Sequence, residues 1–477
     1  MEQTVFDIII MGGGHAGVEA TYAAAQFGLN VALISMPDVP LASAPCNPSI
    51  GGVGKGQVVR EIDAMGGIMG FLADRAGIQF RTLNESKGYA VHSTRVQIDK
   101  EKYSEIATSF LSQISNLKII YQKINQVKKS PDQDYFIIET ENGWSYRTKK
   151  IIVTVGTFLG GKLHCGEEVV LGGRDGYEAS ANLQSIFSHI KNVPERFKTG
   201  TPARLVNSSI DYSQLEEQPS DDSVEHFHFA NYENPRFLPQ MSCYLARTNS
   251  ETLKIIRANK ERSPMYNGQI KAVGARYCPS IEDKAYRYPD KDIHHVFIEP
   301  EGLNLKTMYP SGISSSLPKE VQHAFIQSID GLEKAEIDTY GYAVEYDVVD
   351  TTCLKLTLEH KEFEGLYFAG QVNGTSGYEE AAGQGLVAGL NAALAFLKKD
   401  PVIFSRKNSY IGVMIEDLVS NVRDEPYRLF TARSENRLYI REDNSIDRMW
   451  SYRTKFELNQ PLDKYAPKYL FEKSILL

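Results

Sequence analysis

Residues 6–11 are an apolar run of strand formers that breaks at Gly12-Gly13-Gly14-His15-Ala16-Gly17 and gives way to an alanine-rich stretch over 18–27. A strand, a glycine turn and a helix in that order leave few folds open. Gly12 permits the tight turn, Gly14 lets backbone approach a pyrophosphate, and Gly17 lets the helix lie close on the strand, with phosphate at the helix N-terminus. The pattern predicts a dinucleotide site made by Gly12, Gly13, Gly14, Ala16 and Gly17. The next strand, over 31–35, ends in Ile34-Ser35-Met36 with no acid to hold ribose hydroxyls, so the ribose contact stays unassigned. His15 is read as a residue near the cofactor edge without a chemical role.

A second unit of the same kind lies far downstream. Residues 135–140 and 144–147 flank Glu141-Asn142-Gly143, a hairpin signature, and Lys150 leads into a strand over 151–155 that ends at Gly156-Thr157. Leu366-Tyr367-Phe368-Ala369-Gly370 then runs into Gln371, and a small-residue helix is expected over 381–397, where Gly383, Gly385 and Gly389 permit close approach. A single nicotinamide site would not require both units. The pair favours FAD, with Gly156, Gly370 and Gln371 among its contacts, and an α/β fold with a Rossmann-like FAD-binding domain.

The chain has 477 residues, enough for two or three domains. It contains no run of about 20 apolar residues and no readable secretory signal, so no membrane association and a cytoplasmic location are expected. A net charge of -8 does not favour phosphate binding over the whole surface; any RNA contact needs a local basic patch. Residues 423–455 carry Arg428, Arg433, Arg437, Arg441, Arg448 and Arg453 interleaved with acids, which fits a salt-bridged helical face and an RNA surface equally. The five cysteines are odd in number and have no close pair, which argues against a disulfide framework or a zinc site.

Several blocks exceed what the fold requires. Pro45-Cys46-Asn47-Pro48-Ser49-Ile50-Gly51-Gly52-Val53-Gly54-Lys55-Gly56 reads as a shaped, non-helical cradle with one thiol and one ammonium. It is no phosphate loop, because Gly56 stands where the magnesium-binding hydroxyl belongs. Loop-like blocks follow at 83–88, 198–202, 276–284 and 370–384.

These blocks, together with Glu425-Pro426-Tyr427-Arg428-Leu429-Phe430 and the residues after it, resemble the MnmG (GidA) family of tRNA wobble-uridine flavoproteins over roughly residues 5–448. The resemblance implies FAD, hydride from NADH, a one-carbon unit from 5,10-methylenetetrahydrofolate, and an aminomethyl or carboxymethylaminomethyl group built on C5 of uridine 34 of tRNA. It further implies a homodimer that works with the GTPase MnmE. Residues 1–199 and 341–400 would form the FAD-binding domain, 200–340 an inserted α/β domain, and 401–477 a shortened form of the family's C-terminal helical segment, which puts the MnmE partnership in question. By motif, Cys46 and Cys278 match the functionally important pair, because a thiolate suits reversible addition to C6 of uracil. Which of the two adds stays open. Lys55, Lys87, Arg276 and Lys284 would hold substrate, while Cys165, Cys243 and Cys353 read as small buried fillers. Tyr89 and His92 depart from the Pro and Arg usual in the Lys87 block, the latter with loss of a bidentate contact. The rival readings are a folate- and FAD-dependent uridine C5-methyltransferase resembling TrmFO, and a flavin-binding RNA or protein adaptor without catalysis. A small-molecule flavin oxidoreductase would leave the paired-thiol loops without a purpose.

Overall fold

The computed structural model describes residues 4–130, 134–179, 196–274, 279–291 and 293–455. Its largest sheet grows from β1 (Thr4–Met11), whose inner residues Ile8, Ile9, Ile10 and Met11 are fully buried. β1 pairs in parallel with β2 (Val31–Ser35) on one side and with Ser145–Val153 on the other; Leu117–Tyr121 extends the sheet beyond β2 and Leu366–Phe368 lies beside residues 151–153. Both faces of these parallel strands are covered, so they read as continuous apolar runs. The architecture is α/β and Rossmann-like.

The strand Ser145–Val153 differs from the sequence expectation of a hairpin arm followed by a separate strand. It is continuous, because its edge opposite β1 has two successive partners. Residues 145–148 pair antiparallel with Phe136–Thr140, and residues 151–153 pair in parallel with Leu366–Phe368. Lys149 and Lys150 sit at the exchange and are strand, not linker.

Helix α1 (His15–Ala25) packs along the helix Tyr378–Phe396. The approach is close enough that a Cβ on Gly385 would lie 2.1 Å from the Ala16 carbonyl oxygen, and one on Gly389 2.5 Å from that of Ala20. This helix starts at Tyr378, three residues before the expected 381, so the second half of the 370–384 block is helical rather than a loop. Other blocks read as loops also fold regularly: residues 49–51 form a strand, Lys55 opens helix α2 (Lys55–Ala64), residues 197–201 form a strand, and Ile281–Arg287 is a helix. The two strands are short and their regular backbone is set by long-range pairing, whereas the helix Ile281–Arg287 is started locally by a capping box between Ser280 and Asp283.

Phe197–Thr201 pairs antiparallel with Tyr342–Tyr346, Thr201 opposite Tyr342, so the chain leaves and returns through neighbouring strands. Between them a six-stranded antiparallel sheet carries its own core, with Leu205, Leu253, Ile256, Ile281, Val296, Ile298 and Phe325 buried between it and three helices. No helix among the described residues is long and apolar enough to cross a membrane.

Candidate functional site

The cradle around Cys46 is held by the first turn of the helix Tyr378–Phe396, residue by residue. The Tyr378 hydroxyl oxygen accepts from the Cys46 N–H at 2.6 Å and from the Asn47 N–H at 3.0 Å. Glu379 accepts from the Gly51 N–H at 2.7 Å. Glu380 forms a buried ion pair with Lys55 and also accepts the Leu429 N–H at 3.0 Å. Two acids in a first turn lie where the helix dipole favours negative charge. The cradle is thus shaped by three consecutive side chains, and Lys55 is an internal contact of that shape.

Two further blocks close on the cradle. The Cys46 thiol donates to the Gly200 carbonyl at 3.7 Å, and Arg204 donates to the Pro45 carbonyl at 2.7 Å while pairing with Glu301 at 2.9 Å. From the C-terminal side, Glu442 accepts from the Thr94 N–H and hydroxyl at 2.8 and 2.9 Å. Gly54 adopts φ +75°, and a Cβ there would lie 2.9 Å from Phe430 Cα, which leaves glycine as the fitting residue. Cys46 itself is half-buried. The hydroxyls of Tyr346 and Tyr378 both lie within electrostatic reach of it, and burial pushes Tyr346 up to about 12 and Tyr378 well above its ordinary range. Both phenols are therefore protonated at neutral pH.

The glycine turn lies directly alongside. His15 stacks on Tyr378 with ring centroids 4.3 Å apart. Burial lowers its pKa to about 3, and its Nε2 has no hydrogen-bond partner among the described residues. A Cβ on Gly17 would lie 1.8 Å from the Gly12 carbonyl oxygen, and one on Gly13 would meet Leu41 and Ser35, whereas one on Gly14 would meet nothing within 4 Å. The turn is closed on the protein side and open at Gly14, where α1 begins without a side-chain cap. Gly370 presses on Ala16, where a Cβ would lie 2.9 Å from the Ala16 Cβ, and the Gln371 amide oxygen lies 3.7 Å from the Cβ position of Gly156. Gly370 therefore meets the Gly12–Gly17 turn in space, and Gly156 lies beside the next residue, Gln371. An open backbone face at a helix N-terminus fits a pyrophosphate-bearing dinucleotide.

The other residues singled out in the sequence are dispersed. Arg276 and Cys278 lie outside the described residues. Lys87 ends an exposed 3-10 turn, beside Tyr89 and His92, whose rings lie 4.8 Å apart. Lys284 is half-buried on the helix Ile281–Arg287 and donates to the Gly312 carbonyl at 2.6 Å. The thiols of Cys165 and Cys353 are pushed up to about 11 by burial, and that of Cys243 further, so all three are inert at neutral pH. In the 423–455 stretch, Arg448 is buried against Glu61 at 2.8 Å and Arg453 is buried beside Ala64, so these two arginines face neither solvent nor RNA.

The profile of the family described as "Glucose inhibited division protein A" matches residues 7–400. The chain belongs to the GidA family. A relative from Aquifex aeolicus, named "tRNA uridine 5-carboxymethylaminomethyl modification enzyme MnmG", is 45% identical over 485 residues, covering 98% of this chain and 78% of the relative. One of the same name from Nitratiruptor is 47% identical over 454 residues, covering 95% and 72%. The solved structure of Aquifex aeolicus GidA superposes with a TM-score of 0.91 at 45% identity, covering 97% of this chain and 77% of that one.

Within this GidA-family chain, sequence reasoning missed Tyr378, Glu379 and Glu380. Two glutamates following a glycine and preceding an apolar run are a helix-start signal that could have placed the helix N-terminus there. Their pairing with a cradle more than 300 residues earlier has no local signature.

Proposed function

We propose that this chain is an FAD-dependent tRNA-modifying enzyme of the cytoplasm. It uses a methylenetetrahydrofolate one-carbon unit and NADH to build an aminomethyl or carboxymethylaminomethyl group on C5 of wobble uridine 34. The observation that carries this reading is the half-buried Cys46 held by Tyr378 beside the open face of the glycine turn. The names of the relatives, which specify tRNA uridine modification, support it.

The residues would divide the work as follows. Gly12, Gly13, Gly14, Ala16, Gly17, Gly156, Gly370 and Gln371 bind FAD, which supplies redox and one-carbon transfer chemistry when bound. Cys46 and Cys278 serve the uracil: a thiolate adding to C6 pushes electron density onto C5, and departs when the proton at C5 is removed. Tyr378 fixes the cradle backbone at Cys46 and Asn47. Lys87, Arg276 and Lys284 bind phosphates or carboxylates, and Lys55 sets the cradle through Glu380. Residues 1–199 with 341–400 constitute the FAD-binding domain, 200–340 the inserted domain and 401–477 the C-terminal segment. The working form is a homodimer, and partnership with the GTPase MnmE stays open.

Mass spectrometry of tRNA and rRNA digests from cells lacking the activity, complemented with this chain, tests the reading. Return of carboxymethylaminomethyl- or aminomethyluridine supports it. Return of 5-methyluridine would assign the chain to uridine C5 methylation, and return of neither removes the catalytic reading.

A further inference from the structure

An open cleft of about 590 Å³ lies against the outer face of the six-stranded sheet, and its lining residue Arg95 pairs through the backbone with Gly51 of the cradle. Lys284, Lys291, His294 and His295 line it, with Arg95 on a neighbouring sheet. Arg95 is neutralised by Glu299 at 2.5 Å, so the excess positive charge comes from the two lysines. Lys284 is held in the wall by its bond to Gly312, and Lys291 stands exposed at the rim.

Two features separate this cleft from an ordinary charged surface. His294 is only 8% exposed, and its Nε2 is buried with no hydrogen-bond partner among the described residues, a costly state unless an incoming group satisfies it. Burial first, and then the charges of Lys284 and Lys291, hold this imidazole below its ordinary pKa, which places both cations within its electrostatic reach. The second feature is apolar. Along the strand His295–Pro300 the side chains alternate, Val296 and Ile298 entering the core while His295 and Phe297 face outward. Phe297 is 36% exposed and Ile293 58%. Flat side chains beside cations match a ligand that carries both anions and bases, as single-stranded nucleic acid does; a bare anion would leave the apolar part unused.

We infer that this cleft binds an unpaired stretch of RNA, with a backbone phosphate against Lys291, Lys284 and His294 and a base against Phe297. The inference rests on the reading of the chain as an RNA-modifying enzyme and adds to it a second point of contact. It also explains how a chain of net charge -8 engages a polyanion: the positive charge is local and gathers at one cleft.

The test is fluorescence anisotropy of the flavin-loaded protein with a labelled anticodon stem-loop and with a labelled oligouridine, from 50 to 200 mM NaCl, the same preparations being assayed for uridine modification. Lys291→Ala is an exposed change and should leave flavin content intact. It is expected to weaken both RNAs several-fold and to reduce the slope of log K against log salt by about 0.7, one single-strand phosphate contact. Phe297→Ala is expected to weaken oligouridine roughly tenfold with little change in slope. Unchanged affinity and slope in both variants, in a protein that modifies uridine, overturns the cleft and leaves the function standing. RNA binding that responds to both variants, without any uridine modification by the wild type, keeps the cleft and overturns the modification reading. Failure of the wild type to bind either RNA overturns both.

Discussion

The glycine turn with its Cys46 cradle and the cationic cleft beside His294 are built from opposite materials. In the turn, backbone does the shaping and side chains are removed wherever they would intrude: Gly17 against the Gly12 carbonyl, Gly54 against Phe430, Gly385 against Ala16. The charges of Lys55, Glu379 and Glu380 there are buried and paired within the protein. In the cleft, the rings of His295 and Phe297 project from a strand beside Lys284 of a neighbouring helix and Lys291 at the open rim. A site made of close backbone approaches tolerates no added atom, whereas a site made of projecting side chains loses function by degrees.

That contrast orders the expected effects. The largest is Arg448→Ala, which strips Glu61 of its buried partner while Glu61 still accepts from the Tyr410 and Ile411 N–H groups at 2.9 Å each. A loss of about 3–5 kcal/mol by urea unfolding is expected, and a loss under 1 kcal/mol would mean that the C-terminal block is only loosely attached to the buried region. Gly17→Ala follows, with about 1–3 kcal/mol from overpacking and loss of bound flavin, read as the ratio of absorbance at 450 to 280 nm. Retention of full flavin occupancy would show that the turn can give, against the rigid-backbone picture. Tyr378→Phe deletes the acceptor of two N–H groups and is expected to cost about 1–3 kcal/mol, with a fall in modification rate larger than the change in flavin content. Cys46→Ser should abolish modification while flavin stays bound. At the small end, Lys87→Ala on its exposed turn should change stability by less than about 0.5 kcal/mol and should alter only RNA binding.

Acid sharpens the same comparison. His15 falls to about 3 in the folded protein from an ordinary 6.5, so between those values the unfolded chain binds the extra proton. Its contribution to stability is complete above pH 6.5 and is lost as pH falls toward 3. Glu19 on the same helix is raised by burial from 4.5 to about 8, so the folded protein keeps a proton there that the unfolded chain releases, and that contribution is lost as pH rises from 4.5 to 8. His15→Gln is therefore expected to flatten the decline in unfolding midpoint between pH 6.5 and 4. A curve parallel to the wild type would mean that the His15 ring is accessible to protons, and the packing against Tyr378 would need revision.

Sequence alone determined what is local. A buried strand, a turn closed by glycines and an alanine-rich helix occupy one short stretch, so α1 and its glycine turn were legible, as were the strand Leu366–Phe368 and the glycines Gly385 and Gly389 that let two helices touch. Cys46 was legible as a thiol in an unusual loop. Tertiary structure decided the rest, because the partners are remote. Tyr378 meets Cys46 across 332 residues of chain, and Lys55, which locally looks like a ligand-seeking ammonium, is buried against Glu380. Lys149 and Lys150 look like a break yet lie inside one strand, since a strand edge can change partners without changing its own backbone. The positive cleft was hidden for the same reason: Arg95, Lys284 and His294 are close only after two sheets have packed, and a net charge summed along the chain carries no information about which face receives it.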